Sequence, residues 1–218
     1  MNAGIMSMII YVSMVILVLS GWWATLLEQL QWHRTTFVAW LTLFVVASFI
    51  CISPVSSLTV NVGLLFLAVL FCVCWRKTPP LQHLAMFSTV TLTGSVCYLI
   101  REIALLDPAL LILPDIWLQA VVTLLLVAMT VRGIREQLAV ASGGLTLGYL
   151  LSLLAHIREM PTIVLGDGAF FDLVWGSFAS LIVMHGCLQA VKKYGRRLSL
   201  KRIFSAFTVA SQRKSRYD

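Results

Sequence analysis

Seven long apolar stretches follow one another along the chain, separated by short polar or charged gaps. A membrane-spanning helix needs about 20 apolar residues, because the hydrocarbon core is about 30 Å thick and a helix rises about 1.5 Å per residue. The stretches are continuously apolar rather than alternating, which indicates helices. The pattern predicts an all-α bundle with seven spans at Gly4–Trp23, Thr36–Ser53, Leu58–Trp75, Leu81–Ile100, Ile116–Val131, Gln137–Ala155 and Ala169–Val191.

Composition indicates the same class of protein. Of the 218 residues, 60% are hydrophobic and 11% are charged, and the mean hydropathy is +0.93. Soluble domains carry about 25% charged residues, and a soluble fold of this length would leave large apolar patches exposed. We therefore expect a multi-pass cell-membrane protein with a transmembrane bundle over residues 1–191 and a tail over 192–218.

The basic residues are concentrated in every second gap. Of the 16 Lys and Arg residues, five lie in the gaps 24–35, 76–80 and 132–136, and nine lie in 192–218; Arg101 and Arg158 are the exceptions. Lys and Arg near span ends are retained on the cytoplasmic side during insertion. The distribution predicts an N-terminus outside the cell and a C-terminus in the cytoplasm. A six-span arrangement would place the N-terminus inside and would disturb this sorting.

The tail combines basic residues with an apolar helical face. Leu200, Ile203, Phe204 and Phe207 follow the spacing of one side of a helix. We expect this segment to lie in the cytoplasmic headgroup layer, where anionic lipid attracts basic side chains. A nucleic-acid-binding arm would need motif context that is missing here, so no nucleic-acid partner is expected. The basic residues assigned to the lipid surface are Lys192, Lys193, Arg196, Arg197, Lys201 and Arg202.

The predicted spans contain almost no ionisable groups. A charge at mid-bilayer costs about 2.5–3.5 kcal/mol on insertion scales and usually marks a function. No Lys, Arg or Glu falls inside a span, which argues against ion-coupled transport. His185 alone lies deep; we expect a neutral ring bonded to a neighbouring helix, with a ligand or proton-transfer role as the alternative. The five cysteines match neither a disulfide framework nor a zinc site, so no metal or cofactor is expected.

Polar residues gather where the chain is predicted to reach the outer boundary of the membrane. Folding could bring them together as a binding or catalytic site, although ordinary solvated loop charges would give the same pattern. This outer polar rim consists of Arg101, Glu102, His156, Arg158, Glu159 and Asp172.

Two spans carry small or hydroxyl residues at helical spacing. Gly144 and Gly148 lie one turn apart in the sixth span, and such residues let helix backbones approach closely in lipid. Ser88, Thr91 and Ser95 share one face of the fourth span, which we expect to turn inward. Bundle packing is the first interpretation of both sets, and a polar solute path is the alternative for the hydroxyl face.

Two short stretches suggest a family. The opening Met1-Asn2-Ala3-Gly4 and the Ser20-Gly21-Trp22-Trp23 that closes the first span, together with the small seven-helix plan, resemble the YphA-like membrane proteins of spore-forming Gram-positive bacteria. The resemblance implies an integral cell-membrane protein and assigns a role to no residue.

Three functions are consistent with these patterns. The first is a non-enzymatic membrane scaffold or complex subunit, with the bilayer and a membrane protein as partners. The second is a small permease for an uncharged or lipid-like solute, using the hydroxyl face of Ser88, Thr91 and Ser95. The third is a lipid-modifying enzyme that works at the outer polar rim.

Overall fold

The computed structural model describes residues 4–55, 58–76, 78–107, 109, 111, 113–157, 163–189 and 191. The chain divides into two compact units, Met1–Leu181 and Ile182–Asp218. The described elements are the helices α1 (Ile5–Leu19), α2 (Ala24–Leu30), α3 (Arg34–Ser48), α4 (Val62–Arg76), α5 (Pro80–Leu106), α6 (Asp115–Thr130), α7 (Ile134–Ala155) and α8 (Gly168–Gln189), and the strands β1 (Cys51–Val55), β2 (Leu58–Asn61) and β3 (Ile163–Leu165).

The predicted helical character is confirmed, because every predicted span contains an apolar helix. Three helices, α5, α7 and α8, are long and apolar enough to cross a membrane, and the pair α1 and α2 makes a fourth if it counts as one span. The helices α3, α4 and α6 have 15 or 16 residues. At about 1.5 Å per residue they reach roughly 22–24 Å, which is shorter than the hydrocarbon core.

The first predicted span ends earlier than its hydropathy indicates. Helix α1 ends at Leu19, and α2 leaves at an angle of 98°. Gly21 lies in this break with φ of +83°, a backbone conformation that residues with a Cβ rarely adopt. Trp22 follows with 81% of its surface exposed. A glycine in the left-handed region therefore ends the helix although the neighbouring residues remain apolar.

A small three-stranded sheet departs from the predicted all-α fold. Strand β1 pairs with β2 in antiparallel fashion, and β2 pairs with β3 in parallel. The predicted second and third spans included residues of β1 and β2, so both helices are shorter than expected. Short apolar runs rich in β-branched residues do not distinguish strand from helix by hydropathy. The segment of Thr59 forms a strand rather than a helical turn because it pairs with Val164, which is far away in the chain.

Helix α7 packs closely against α5 through glycine. A Cβ added to Gly144 would lie 2.8 Å from the Cβ of Thr93, and one added to Gly148 would lie 2.8 Å from the carbonyl oxygen of Gly94. These distances leave no room for a side chain. The glycine pair therefore joins two helices of the same chain.

The hydroxyl face of α5 points away from this contact, which corrects the prediction of an inward face. The side chains of Ser88 and Thr91 are exposed, and Ser95 is half-buried. The outward hydroxyl groups of Ser88 and Thr91 still have hydrogen-bonding partners. They donate to carbonyl oxygens of the preceding turn, at 2.9 and 3.0 Å, as helical Ser and Thr often do. The buried polar positions on α5 are Thr89 and Thr93 instead.

Candidate functional site

A cavity of about 540 Å³ lies between the end of α5, the start of α6, the middle of α7 and the start of α8. We call it the polar cavity, because ionisable and amide side chains share its wall with apolar ones. Its polar lining residues are Arg101, Asp115, Gln119, Tyr149 and Asp167. Its apolar lining residues include Leu105, Leu113, Ile116, Leu145, Phe170 and Leu173.

Tyr149 forms the fixed part of this wall. Its hydroxyl donates to the carbonyl oxygen of Val164 at 2.8 Å and accepts from the backbone N–H of Gly166 at 3.2 Å. Its ring packs on Phe170, with 4.4 Å between ring centroids. Gly166 adopts φ of +80°, and a Cβ there would lie 3.1 Å from the Cβ of Asn61. Strand β3 and the turn after it therefore hold the hydroxyl of Tyr149, and Phe170 holds its ring.

Arg101 lies over the ring of Tyr149. The guanidinium carbon is 5.2 Å from the ring centroid, which is the range of a cation–π contact. The side chain is half-buried, and among the described residues its guanidinium pairs with no carboxylate. A guanidinium carries five N–H donors, which a ring face does not saturate. Arg101 thus presents hydrogen-bond donors to the cavity.

Gln119 is a deeply buried polar group of the cavity wall. It lies on α6 with 6% of its surface exposed. Within the part of the chain that the structure describes, its side-chain amide makes no hydrogen bond. Buried amides in native proteins nearly always have a partner, and an unmet group costs about 1–3 kcal/mol. The amide atoms of Gln119 keep some accessible surface, and the residue lines the cavity, so a molecule in the cavity can supply their hydrogen-bonding partner.

Two carboxylates line the same space. Asp115 is the first residue of α6, and Asp167 immediately precedes α8, where its Oδ1 accepts from the backbone N–H of Phe170 at 3.0 Å. Both positions are favourable for an acid, since helix N-termini carry partial positive charge. The cavity wall therefore contains one guanidinium, two carboxylates and one amide, with apolar side chains around them.

The outer polar rim predicted from the sequence does not form one site among the described residues. Arg101 and Glu102 belong to the last turns of α5, which continues to Leu106, rather than to a loop. Neighbouring helix residues point about 100° apart. Arg101 accordingly lines the cavity, whereas Oε2 of Glu102 lies 3.6 Å from Nε2 of His156, an ion pair when that ring is protonated.

Asp172 has a different role from the rest of the rim. Its carboxylate accepts from the backbone N–H of Gly4 at 2.8 Å and of Ser7 at 2.7 Å, at the start of α1. The remaining rim residues, Arg158 and Glu159, lie outside the described residues. Among the described rim residues, only Glu102 and His156 therefore come together, whereas Arg101 and Asp172 contact groups outside the predicted set.

The sequence also singled out His185 and the basic tail. His185 is half-buried, and its Nε2 lies 2.9 Å from the side-chain nitrogen of Gln189, one turn further along α8. In the described residues no group of three or more His, Cys, Asp or Glu could hold a metal ion. The basic tail residues Lys192, Lys193, Arg196, Arg197, Lys201 and Arg202 lie outside the described residues.

Sequence reasoning missed Gln119 and Tyr149. Gln119 carried a usable signal, because an amide in the otherwise apolar stretch Ile116–Val131 needs a partner in a membrane. Tyr149 carried none, since tyrosine also occurs in spans without a specific role. The set as a whole joins residues from four helices, and their meeting depends on the fold.

Comparison with known proteins gives a family for the chain. No curated protein and no solved structure matches it. A family model, described as YphA-like integral membrane protein, matches residues 8–204, which is most of the chain. The match begins after Met1-Asn2-Ala3-Gly4, includes Ser20-Gly21-Trp22-Trp23, and covers the helices from within α1 to α8. The chain thus belongs to the YphA-like family of integral membrane proteins.

Proposed function

We propose that this protein is a seven-span protein of the cell membrane that binds a small amphiphile in the polar cavity, without chemistry of its own. One observation carries the proposal: the side-chain amide of Gln119 makes no hydrogen bond to a described residue and lines the same cavity as the guanidinium of Arg101, which pairs with no described carboxylate. Both groups offer hydrogen-bond donors to the cavity, and an anionic or strongly polar head group would accept from both.

The proposed orientation puts this cavity at the outer end of the bundle. The sorting of Lys and Arg favours an N-terminus outside and a tail in the cytoplasm. With seven spans, the end of α5 that carries Arg101 then faces outward. The short helices α3, α4 and α6 are compatible with spanning, because bilayers thin locally around short hydrophobic segments.

The apolar part of the cavity supports an amphiphile over a fully polar solute. Leu145 and Phe170 are buried in its wall. Leu105 and Leu113 line it as well and remain 59% and 45% exposed. These two leucines connect the cavity with the apolar outer surface of the helices, which offers a path for a hydrocarbon tail. A head group at Arg101 and a tail along the leucines would occupy the cavity together.

A role as a complex subunit is the second candidate. The exposed hydroxyl residues Ser88 and Thr91 favour it, because they place small polar side chains on an outward helix face where a partner helix could approach. The same exposure removes the basis for a permease path along this face. Replacing both residues by Leu should then reduce co-purification of a membrane partner without lowering lipid binding.

Lipid binding by the full-length chain tests the leading proposal. In mild detergent with a mixture of phosphatidylethanolamine and phosphatidylglycerol, native mass spectrometry should show bound phospholipid, and Arg101→Gln should lower its retention about tenfold or more, as loss of a charge-assisted hydrogen bond predicts. Arg76→Gln is the matched control, because Arg76 is an exposed arginine at the end of α4 and does not line the cavity. Equal retention in Arg101→Gln and Arg76→Gln would contradict the proposal.

A further inference from the structure

We infer that the amphiphile is an aminophospholipid, whose phosphate binds at Arg101 and whose primary ammonium binds at Asp115 and Asp167. This inference rests on the proposed binding function and adds the class of ligand. Its basis is the composition of the cavity wall, where two carboxylates stand against one guanidinium.

The balance of charge in the cavity disfavours a simple anion. Arg101 contributes one positive charge, and Asp115 and Asp167 contribute two negative charges. Asp115 makes no ion pair or hydrogen bond with the described residues. An anion at Arg101 alone would add a third negative charge in a partly desolvated space, where like charges repel strongly. A ligand that brings its own positive charge next to its phosphate resolves this conflict.

The remaining hydrogen-bonding capacity fits a primary ammonium group. Asp167 uses Oδ1 to cap Phe170, and its other oxygen makes no hydrogen bond to a described residue. Carboxylate oxygens accept hydrogen bonds, and an ammonium group offers three donors. Quaternary ammonium groups, which offer none, are bound by aromatic faces. Here Tyr149 is already in contact with Arg101 and with Phe170, so the aromatic surface is engaged.

The apolar wall indicates that the head group arrives on a lipid rather than as a free molecule. Ten of the fifteen lining residues are apolar, and Leu105 and Leu113 reach the exposed surface. A free zwitterion would leave this surface in contact with water. Hydrocarbon chains would cover it and gain the free energy of apolar burial.

Competition among lipids with identical acyl chains tests the inference. The full-length protein is presented with phosphatidylethanolamine, phosphatidylglycerol and phosphatidylcholine, and with glycerophosphoethanolamine as the free head group. Phosphatidylethanolamine should be retained about tenfold better than the other two lipids and the free head group, as expected for a charge-assisted contact. Asp115→Asn should reduce that preference, and Asp115→Asn with Asp167→Asn should abolish it while phosphatidylglycerol retention stays or rises. Glu28→Gln is the control, because Glu28 is an exposed carboxylate on α2 that does not line the cavity.

The outcomes separate this inference from the proposed function. Equal retention of the three lipids, lowered in common by Arg101→Gln, would overturn the aminophospholipid and leave the binding function standing. Retention that is independent of Arg101 for every lipid would overturn both. Binding of glycerophosphoethanolamine as tight as that of the lipid would overturn the lipid source. Should the double variant fail to fold because Asp167 caps α8, Asp115→Asn alone decides, since Asp115 makes no hydrogen bond to the described residues.

Discussion

The carboxylate of Asp172 joins the N-terminal part of α8 to the start of α1. It accepts backbone N–H groups of Gly4 and Ser7, although 168 and 165 positions separate these residues from it. The first N–H groups of a helix have no partner within the helix, so an acid at this point satisfies them and interacts favourably with the helix dipole. An acidic residue near a span end was evident from the sequence, whereas its partner in α1 was not.

Removing this cap should weaken the docking of α1. Asp172→Ala is expected to lower the free energy of unfolding by about 1–2 kcal/mol, the usual effect of losing an N-cap. Thermal unfolding in detergent, followed by tryptophan fluorescence, would report the loss. Asp107→Ala is the control, because Asp107 bonds only the nearby backbone of Ala109 at an exposed position. Equal shifts in both variants would contradict the capping role.

The contact between α5 and α7 organises the helices around the polar cavity. Helix α7 is buried along most of its length, and α5 contributes Arg101 to the cavity while α7 contributes Tyr149. Their close approach at Gly148 sets the distance across which the arginine reaches the ring. Small residues in the sixth span indicated a packing face, and the three-dimensional arrangement identified its partner as α5 of the same chain.

A methyl group at this contact should push the two helices apart. Gly148→Ala is expected to destabilise the protein by about 1–3 kcal/mol, as overpacking does, since the added Cβ would meet the backbone oxygen of Gly94. Gly186→Ala is the matched control, because a Cβ there meets no described atom within 4 Å. Unfolding measurements would support the contact if Gly148→Ala lowers the free energy of unfolding while Gly186→Ala leaves it unchanged or raises it slightly. Two neutral variants would refute it.

At the scale of the whole molecule, the chain is an integral membrane protein of the YphA-like family with helices in all seven apolar stretches. The number of crossings and the orientation remain predictions from the charge distribution. Lys and Arg act during insertion rather than in the folded state, so their influence is not recorded in the packing of the helices. Labelling of single cysteines on cells tests the number of crossings and the orientation.

Single cysteines should reveal the side on which each gap lies. In a variant with its five native cysteines replaced, Asp107→Cys should react with a membrane-impermeant maleimide on intact cells. Arg132→Cys should react only after permeabilisation, because its gap is predicted to be cytoplasmic. The reverse pattern would contradict an N-terminus outside the cell, and labelling of both positions on intact cells would contradict an intervening span.

The sequence by itself determined the membrane class, the family and the positions of the long helices, because hydropathy over about 20 residues is a local property. It also indicated Arg101 and the Gly144 and Gly148 pair as positions of interest. Tertiary structure alone decided the small sheet, the outward turn of the Ser88 face and the meeting of Arg101 with Tyr149. Each of these depends on contacts between segments far apart in the chain, which no local pattern specifies.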